Sequence, residues 1–444
     1  MTRARAATAP RATTRLHDPV QRRTLLVLIA AQILGTLSLG AGPTIGILLA
    51  EQVTADETWA GLARTSSTLG AALLGLPLGT LAARHGRRVA LATGWWISAA
   101  GAGLLVLAAQ HQLVIPLFLG LLMTGAGTAA ALQARFTATD LATPATRARA
   151  LSLVVWMGAI GNVLGPNIGV PGEALGRATG LDTYAASFAL AAAGCALAGA
   201  VLLALLRPDP LAELARRTAG TTDAAAVLPT ASRPGPLARL RGMTEELRAD
   251  PRARTALVAL LTSQVVMVAL MTMTPVHLAH RGDSLSVVGL TISLHVLGMF
   301  GLSPLVGHLV DRLGHRAVVG IGAGLFALSE AFAALTADTT GGVIAALVLL
   351  GLGWSFMNVA GSALFAAVVP DRSRAAAQGG ADALSNLCGA IAAFLAGPAM
   401  VATSFATLGV LAAAIMLPMC VTVLRPGAWR GPATEPAALG EDGA

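Results

Sequence analysis

The chain has no lysine, few charged residues of any kind and only three cysteines. Charged residues make up 12% of its 444 residues, whereas hydrophobic residues make up 55%. So few polar side chains do not cover a soluble globule, and most of the chain must therefore lie in lipid. A Walker-type phosphate loop requires a lysine, and the sequence also lacks an H-E-x-x-H zinc motif. We therefore expect that the protein is not an enzyme.

The cysteines, Cys195, Cys388 and Cys420, all lie in apolar segments. No C-x-x-C or Cys/His spacing accompanies them, and this pattern is typical of small buried packing residues. We expect no disulfide, no metal and no cofactor.

Long uncharged runs follow one another along the whole chain. A hydrocarbon core about 30 Å thick requires roughly 20 helical residues. The runs are rich in alanine and leucine and do not alternate in polarity, which favours helices over a β-barrel. The sequence thus predicts an all-α integral membrane protein. Its twelve predicted spans are 24–50, 58–82, 88–109, 113–134, 150–171, 183–206, 255–279, 285–310, 316–337, 342–368, 375–401 and 403–424.

The basic residues are distributed unevenly between the loops. The net charge is +8, and all 30 basic residues are arginine. Most lie in the amino-terminal tail, in alternate turns and in the connection between spans 6 and 7, whereas the opposite loops hold only Arg177 and Arg281. This positive-inside pattern predicts a multi-pass protein of the cell inner (plasma) membrane with both termini in the cytoplasm. No contiguous arginine face suits nucleic acid, so we expect the lipid bilayer, and not nucleic acid, as a partner.

The polar segments divide the chain into two groups of six spans. Residues 207–254 are rich in proline and charged in both signs, which is typical of a linker. The composition after residue 425 is typical of disorder. The predicted organisation is a cytoplasmic arginine-rich tail, a six-helix bundle, a cytoplasmic linker, a second six-helix bundle and a disordered cytoplasmic tail, over 1–23, 24–206, 207–254, 255–424 and 425–444.

A ten-residue repeat supports this division. "GTLAARHGRR" begins at Gly79 between spans 2 and 3, and "GHLVDRLGHR" begins at Gly307 between spans 8 and 9. Both have the form G-x-L-x-x-R-x-G-x-R at equivalent places in the two halves. Such a duplication is typical of secondary transporters.

At these residues the sequence resembles the major facilitator superfamily, whose best-known motif is a G-x-x-x-D-R-x-G-R-R loop after the second helix. The resemblance covers essentially the whole chain and implies a cytoplasmic gate in each half. Ala83 stands where the family usually has aspartate, and we expect Arg87 to pair with Asp140. The alternative is that these arginines only enforce topology. The implied gate residues are Gly79, Arg84, Gly86, Arg87, Arg88 and Asp140 in the first half, and Gly307, Asp311, Arg312, Gly314 and Arg316 in the second.

Span 5 contains the stretch "GAIGNVLGPNIGVPG". Its glycines recur every four residues, so they line one stripe on which another helix can approach closely, and its proline bends the helix. The stretch resembles the fifth-helix signature of the exporter (antiporter) branch, although Val170 replaces the last glycine and Leu121 replaces an arginine that exporters often carry in span 4. The alternative is ordinary small-residue packing. The residues of this motif are Gly158, Gly161, Gly165, Pro166 and Gly169.

Polar residues inside the spans are costly in lipid and are therefore candidates for function. Asp382 is a candidate for proton coupling or for a gate contact, and His295 for proton coupling or for packing. Arg64 either lines the cavity or extends to the outer headgroups. The family resemblance places a further set on cavity-lining helices: Gln32, Asn162, Asn167, Gln264, Trp354, Asn358 and Asn386.

These observations predict a monomeric secondary transporter that works by alternating access. The few charges in the spans favour a lipophilic or mildly polar small molecule as substrate. We expect export of a hydrophobic or amphiphilic compound, such as a drug or secondary metabolite, driven by proton influx. An importer or facilitator on the same fold is the first alternative, and a non-transporting membrane sensor is the second.

Overall fold

The computed structural model describes residues 18–56, 58–143, 146–218, 244, 247–248, 250–369 and 371–429. The predicted amino-terminal tail before residue 18, most of the linker between 219 and 249, and the tail after 429 lie outside the described residues. The described part is almost entirely helical and contains no strand.

Fifteen α-helices make up the described part of the chain. Two 3-10 turns, Gly165–Ile168 and Pro426–Trp429, and one π-helical turn, Gly42–Gly46, supplement them. The helices are α1 Pro19–Leu39, α2 Ile47–Thr54, α3 Thr58–His111, α4 Val114–Thr137, α5 Arg147–Leu164, α6 Gly169–Thr179, α7 Thr183–Leu205, α8 Pro210–Thr218, α9 Pro251–His280, α10 Leu285–Phe300, α11 Ser303–Leu313, α12 His315–Leu335, α13 Thr340–Val368, α14 Asp371–Ala402 and α15 Phe405–Leu424.

Polar residues that cap backbone N–H groups define where many helices begin. Asp18 accepts a hydrogen bond from the second residue of α1, and Asp250 accepts one from the second residue of α9. A proline follows each of these aspartates at the first helical position, where its missing N–H costs nothing. Asp182 and Ser404 cap α7 and α15 in the same way. The short polar loops therefore start the helices, while the apolar runs extend them across the bilayer.

The longest helix, α3, consists of two spans. Gly86 interrupts it with φ 89° and ψ 168°, which are not helical values. A Cβ atom on Gly94 would lie 3.1 Å from a methyl group of Leu78, so residues on either side of Gly86 face each other. The chain thus folds back on itself as a hairpin at this glycine.

The number of membrane crossings agrees with the sequence prediction. Eleven helical segments among the described residues are long and apolar enough to cross a membrane. Because α3 supplies two of the crossings, the chain has twelve spans, and the predicted all-α membrane fold is confirmed.

The first span is broken near its middle, which the sequence analysis did not predict. Between α1 and α2, residues Gly42–Gly46 form a π-helical turn that contains Pro43. Proline lacks the N–H that a continuous α-helix needs at this position, and short π-helical turns are frequent at functional sites. The break divides the first span into a helix of 21 residues and a shorter one of 8 residues.

The spans form two repeated bundles that contact each other. In the first bundle α3 packs on α4 and α7, and α1 packs on α5 and α7. In the second bundle α9 packs on α13 and α14, and α12 packs on α13 and α15. Between the bundles, α3 contacts α14, α5 contacts α10, and α2 contacts α9.

The two ends of the bundles differ. We call the end that carries Asp18 and Trp429 the terminal side, and the end that carries the loops near residues 56, 112, 181, 282, 338 and 403 the distal side. Apart from the side chains of residues 371–376 and 379, which the structure does not describe, the hydrogen bonds that join described residues of the two bundles lie in the distal half. The bundles are therefore tied together on the distal side.

Candidate functional site

The first arginine loop, residues 79–88, lies at the terminal side and is fastened to span 4. Arg87 Nε donates to Asp140 Oδ2 at 2.8 Å, and Arg87 Nη2 donates to Asp140 Oδ1 at 3.3 Å. Both side chains are only 12% exposed, so the two bonds are little screened by solvent. The pair joins the turn between spans 2 and 3 to the end of α4, whereas Arg84 at the same turn is exposed.

A second partner of this loop, Asp209, was missed by the sequence analysis. Its Oδ2 accepts a hydrogen bond from the backbone N–H of Arg88 at 2.8 Å, and its Oδ1 accepts one from Leu211 N at 3.0 Å. One carboxylate thus caps the start of span 3 and the start of α8. It also lies against Gly86, where an added Cβ atom would be 2.5 Å from Oδ2. The Asp-Pro pair at 209–210 was the signal for this cap, because it is a typical helix start.

Helix α8 is fixed to the terminal side by a further cluster of charges. Arg217 forms an ion pair with Asp18 and donates from Nε to Glu213 Oε1 at 2.7 Å. The hydrogen bond from Arg217 lowers the pKa of Asp18 below its usual value, although partial burial acts in the opposite direction. The beginning of α1 is therefore joined to the segment that follows span 6.

The second arginine loop, residues 307–316, has different partners. Arg316 Nε donates to the Val423 carbonyl oxygen at 2.9 Å, and Nη2 donates to that of Leu424 at 3.4 Å. These carbonyls belong to the last turn of α15, which has no intrahelical donors for them. Asp311 and Arg312 are exposed, and an added Cβ atom at Gly307 would meet nothing within 4 Å.

The glycine motif of span 5 packs against the first span. Thr36 of α1 donates from Oγ1 to the Gly158 carbonyl oxygen at 2.9 Å, and Gly161 lies against the same threonine. A Cβ atom on Gly165 would lie 2.6 Å from the Leu37 carbonyl oxygen, so only glycine permits this approach. At Pro166 the helix changes to a 3-10 turn, and Gly169 beyond it contacts Leu285 of the second bundle.

Several further contacts join the two bundles in the distal half. Asn167 Nδ2 donates to Ser293 Oγ at 2.7 Å, and Thr65 Oγ1 donates to the Ala390 carbonyl oxygen at 3.0 Å. Glu51 forms an ion pair with His280, provided that the histidine is protonated. Another contact packs Gly61 of α3 against the backbone of α14 at Ala393.

The remaining predicted cavity residues do not form one cluster. Trp354 Nε1 donates to Gln264 Oε1 at 3.1 Å within the second bundle, and Phe300 meets this indole edge-on with ring centroids 5.7 Å apart. Gln32 is buried among α1, α4 and α5. Asn386 bonds to the backbone of its own helix. Asn162 and Asn358 are half-buried.

The two candidates for proton coupling occupy different environments. Asp382 is exposed and lies within electrostatic range of Arg135 of the first bundle, with which it forms no ion pair. His295 is fully buried within the second bundle, where Nδ1 bonds to the Leu347 carbonyl oxygen at 2.8 Å. Glu330 of α12 is also buried, at 2% exposure.

Comparison with known proteins agrees with this architecture. The family model of the major facilitator superfamily matches residues 24–285 and 278–442. The uncharacterized MFS-type transporter YddS of Bacillus subtilis is 36% identical over 410 residues, which cover 92% of each chain. The riboflavin transporter RfnT of Brucella anthropi is 29% identical over 406 residues, which cover 91% of this chain and 95% of that protein.

A solved structure shows the same fold. The crystal structure of the nucleoside transporter NupG superposes with a TM-score of 0.67 at 15% identity, over 93% of this chain and 99% of that chain. Twelve spans in two repeated bundles, paired arginine loops and a family model matched along nearly the whole length lead to one conclusion. The chain belongs to the major facilitator superfamily, and it is a membrane transporter rather than an enzyme.

Proposed function

We propose that this transporter exports a hydrophobic or amphiphilic small molecule, such as a drug or secondary metabolite, in exchange for protons. The observation that carries the proposal is that Asp382 of the second bundle lies within electrostatic range of Arg135 of the first bundle. Among the described residues, Asp382 is an exposed carboxylate inside a span that faces a cation of the other bundle. An ionisable residue at such depth is costly unless it has a function.

The arginine distribution supports an orientation for the molecule. The terminal side carries the arginine loops and α8, so we assign it to the cytoplasm. In this orientation the bundles are tied together towards the outside, and Asp382 and Arg135 are separated towards the cytoplasm. The conformation is then inward-facing, which is one of the two states that alternating access requires.

Proton exchange at Asp382 supplies a reason for the bundles to move. When Asp382 loses its proton to the cytoplasm, its negative charge attracts Arg135, which draws α4 and α14 together and closes the terminal side. When Asp382 takes up a proton from outside, this attraction disappears and the terminal side separates again. Proton influx is thereby coupled to the outward movement of a substrate bound between the bundles.

A second candidate is uptake or facilitated diffusion on the same fold. The Brucella anthropi relative is a riboflavin transporter. Riboflavin combines a flat heteroaromatic ring with hydroxyl groups, and the neutral polar residues Gln264, Trp354 and Asn358 suit such a molecule. The substrate would then move inward or equilibrate without a proton gradient.

Transport into inverted membrane vesicles tests the two candidates. The compounds are riboflavin and hits from a thermal-shift screen across compound classes, each measured with and without a pH gradient. Export predicts accumulation in the vesicles that collapses when the gradient is removed. The Asp382→Asn variant should lose this gradient dependence, whereas Asp338→Asn, in an exposed distal loop, should keep it. Accumulation that does not depend on the pH gradient would contradict the proposal. A pH dependence in Asp382→Asn equal to that of the wild type would also contradict it.

A further inference from the structure

Arg64 lies in a narrow cleft between the two bundles. The cleft is bounded by the broken first span, by α3 and by the middle of α9. Its lining residues are Pro43, Ile47, Arg64, Val268, Met271 and Thr272. All of these residues except Arg64 are uncharged, so a single guanidinium determines the charge of the cleft.

The charge of Arg64 has no counter-ion. Among the described residues, no carboxylate forms a hydrogen bond, an ion pair or an electrostatic interaction with its guanidinium. Arg135, the other arginine that faces the opposite bundle, has Asp382 within electrostatic range. An unpaired charge at membrane depth is expensive to maintain, and such a residue marks a site for a substrate or an ion.

A second buried polar group lies near this cleft. His295 is within electrostatic range of Arg64, and its Nε2 atom is buried without a hydrogen-bond partner. Buried polar atoms are nearly always hydrogen-bonded in native proteins. An unpartnered ring nitrogen and an unpaired guanidinium in one neighbourhood both indicate that the site accepts a polar group from outside the chain.

The position of Arg64 on its helix argues against extension to the lipid headgroups. Its neighbours Gly61 and Thr65 both contact α14 of the second bundle. Gly61 is three residues away and therefore lies on the same side of α3 as Arg64. The guanidinium thus belongs to the interface between the bundles and not to the lipid-facing surface.

We propose that Arg64 binds the anionic group of an amphiphilic substrate, such as a carboxylate, sulfonate or phosphate carried on an apolar ring or chain. A guanidinium binds such groups through two parallel hydrogen bonds. The cleft is too narrow for a whole drug-sized ligand, which needs roughly 300 Å³, so we place only the head group of the substrate at Arg64. The apolar part of the substrate then extends into the space between the bundles. This assignment rests on the proposed function, because it names the substrate class of the same transport pathway.

Two probes that differ in charge test the assignment. Naphthalene-2-sulfonate and naphthalene-2-sulfonamide have nearly the same shape, but only the sulfonate is an anion. Binding of each probe is measured on the purified full-length chain by titration calorimetry. The wild type should bind the sulfonate more tightly, by about tenfold or more. Arg64→Gln should abolish this preference, Arg64→Lys should retain part of it, and Arg177→Gln, on the distal surface, should leave it unchanged.

Thermal unfolding of the free protein gives an independent measurement. Removal of an unpaired, half-buried charge should leave the melting temperature of Arg64→Gln equal to or above that of the wild type. A fall in melting temperature would show that the guanidinium has a structural counter-ion and would overturn the assignment. A sulfonate preference that survives in Arg64→Gln, or a wild type that binds neither probe or shows no preference, would also overturn it.

Vesicle flux separates this inference from the proposed function. If the wild type transports the sulfonamide and the sulfonate equally well, the result supports transport but contradicts the anion site at Arg64. If both probes bind with the expected preference but neither is transported under any gradient, the result supports the anion site and contradicts the export proposal.

Discussion

The two arginine loops have nearly the same sequence and the same backbone turn, but different partners hold them. Gly86 and Gly314 both have positive φ, at 89° and 79°. In the first loop, the Arg88 N–H donates to the Asp209 carboxylate, beyond the end of span 6. In the second loop, the Arg316 side chain donates to carbonyl oxygens at the end of span 12. Each loop is thus held near the end of the last span of its own bundle. In the first loop a backbone N–H donates to a carboxylate, whereas in the second a guanidinium donates to backbone carbonyl oxygens.

The first loop also has an ion pair that the second lacks. Arg87 bonds to Asp140, whereas His315 stands at the equivalent position of the repeat. The duplication therefore preserved the turn and its place in the bundle, while the charged contacts diverged. We infer that the first loop contributes more to stability than the second, and the following substitutions test this difference.

Substitution of the two turn glycines by alanine should have the largest effect. At φ near 80° to 90° and extended ψ, a side chain costs roughly 1–3 kcal/mol. Gly86→Ala adds a clash with the Asp209 carboxylate, whereas a Cβ atom at Gly314 meets nothing within 4 Å. We expect losses of about 3 kcal/mol for Gly86→Ala and about 2 kcal/mol for Gly314→Ala in mixed-micelle unfolding. Equal losses would show that Asp209 does not constrain the first loop.

Loss of the Arg87–Asp140 pair should have the next largest effect. Asp140→Asn keeps the shape of the side chain but leaves the half-buried Arg87 charge unpaired, which should cost about 1.5 kcal/mol. Asp311→Asn in the exposed second loop is the matched control and should change stability by less than about 0.5 kcal/mol. The same mixed-micelle unfolding measures both variants, and equal values would remove the difference between the loops.

Removal of the Asp209 carboxylate should lower the free energy of unfolding by a smaller amount. The size of this effect should depend on which residue stands at position 86. Asp209→Ala removes a cap shared by two helix starts, worth about 1 kcal/mol. Because the alanine also relieves the clash at Gly86→Ala, the double variant should lose about 1 kcal/mol less than the sum of the single variants. A double-mutant cycle by unfolding measures this coupling, and strict additivity would refute the contact.

The smallest effect is expected at Arg316. Its side chain is exposed, and its bonds complement the carbonyls at the end of α15. Arg316→Gln should therefore cost about 0.5 kcal/mol and should lose this effect at high salt. Unfolding at low and high ionic strength checks the prediction, since a loss that is independent of salt would indicate a packing role.

Much of the architecture could be predicted because it depends on local properties of the chain. The twelve spans follow from runs of apolar residues long enough to cross a bilayer. The two matched loops follow from a repeat at Gly79 and Gly307. The helix stripe of Gly161 and Gly165 follows from a four-residue period, whereas its packing partner, α1, could not be predicted from that period.

The site was less predictable because its contacts join residues that are distant along the chain. The role of Asp209 depends on the return of span 6 to the first loop, 121 residues away in sequence. Likewise, Asn167 meets Ser293 across 126 residues. A hydrogen bond at such separation leaves no periodic signal in the sequence, since only the packing of the helices brings its two atoms together.

By itself, the sequence determined that the chain is a twelve-span, two-bundle membrane protein with arginine-rich turns on one side, because hydropathy and charge act on each segment independently. Only the tertiary structure decided that Arg64 lies between the bundles with no counter-ion among the described residues, that His295 is buried, and that Asp382 lies within electrostatic range of Arg135. The cost of a charge in lipid depends on what surrounds it, and helices from both halves of the chain supply those surroundings.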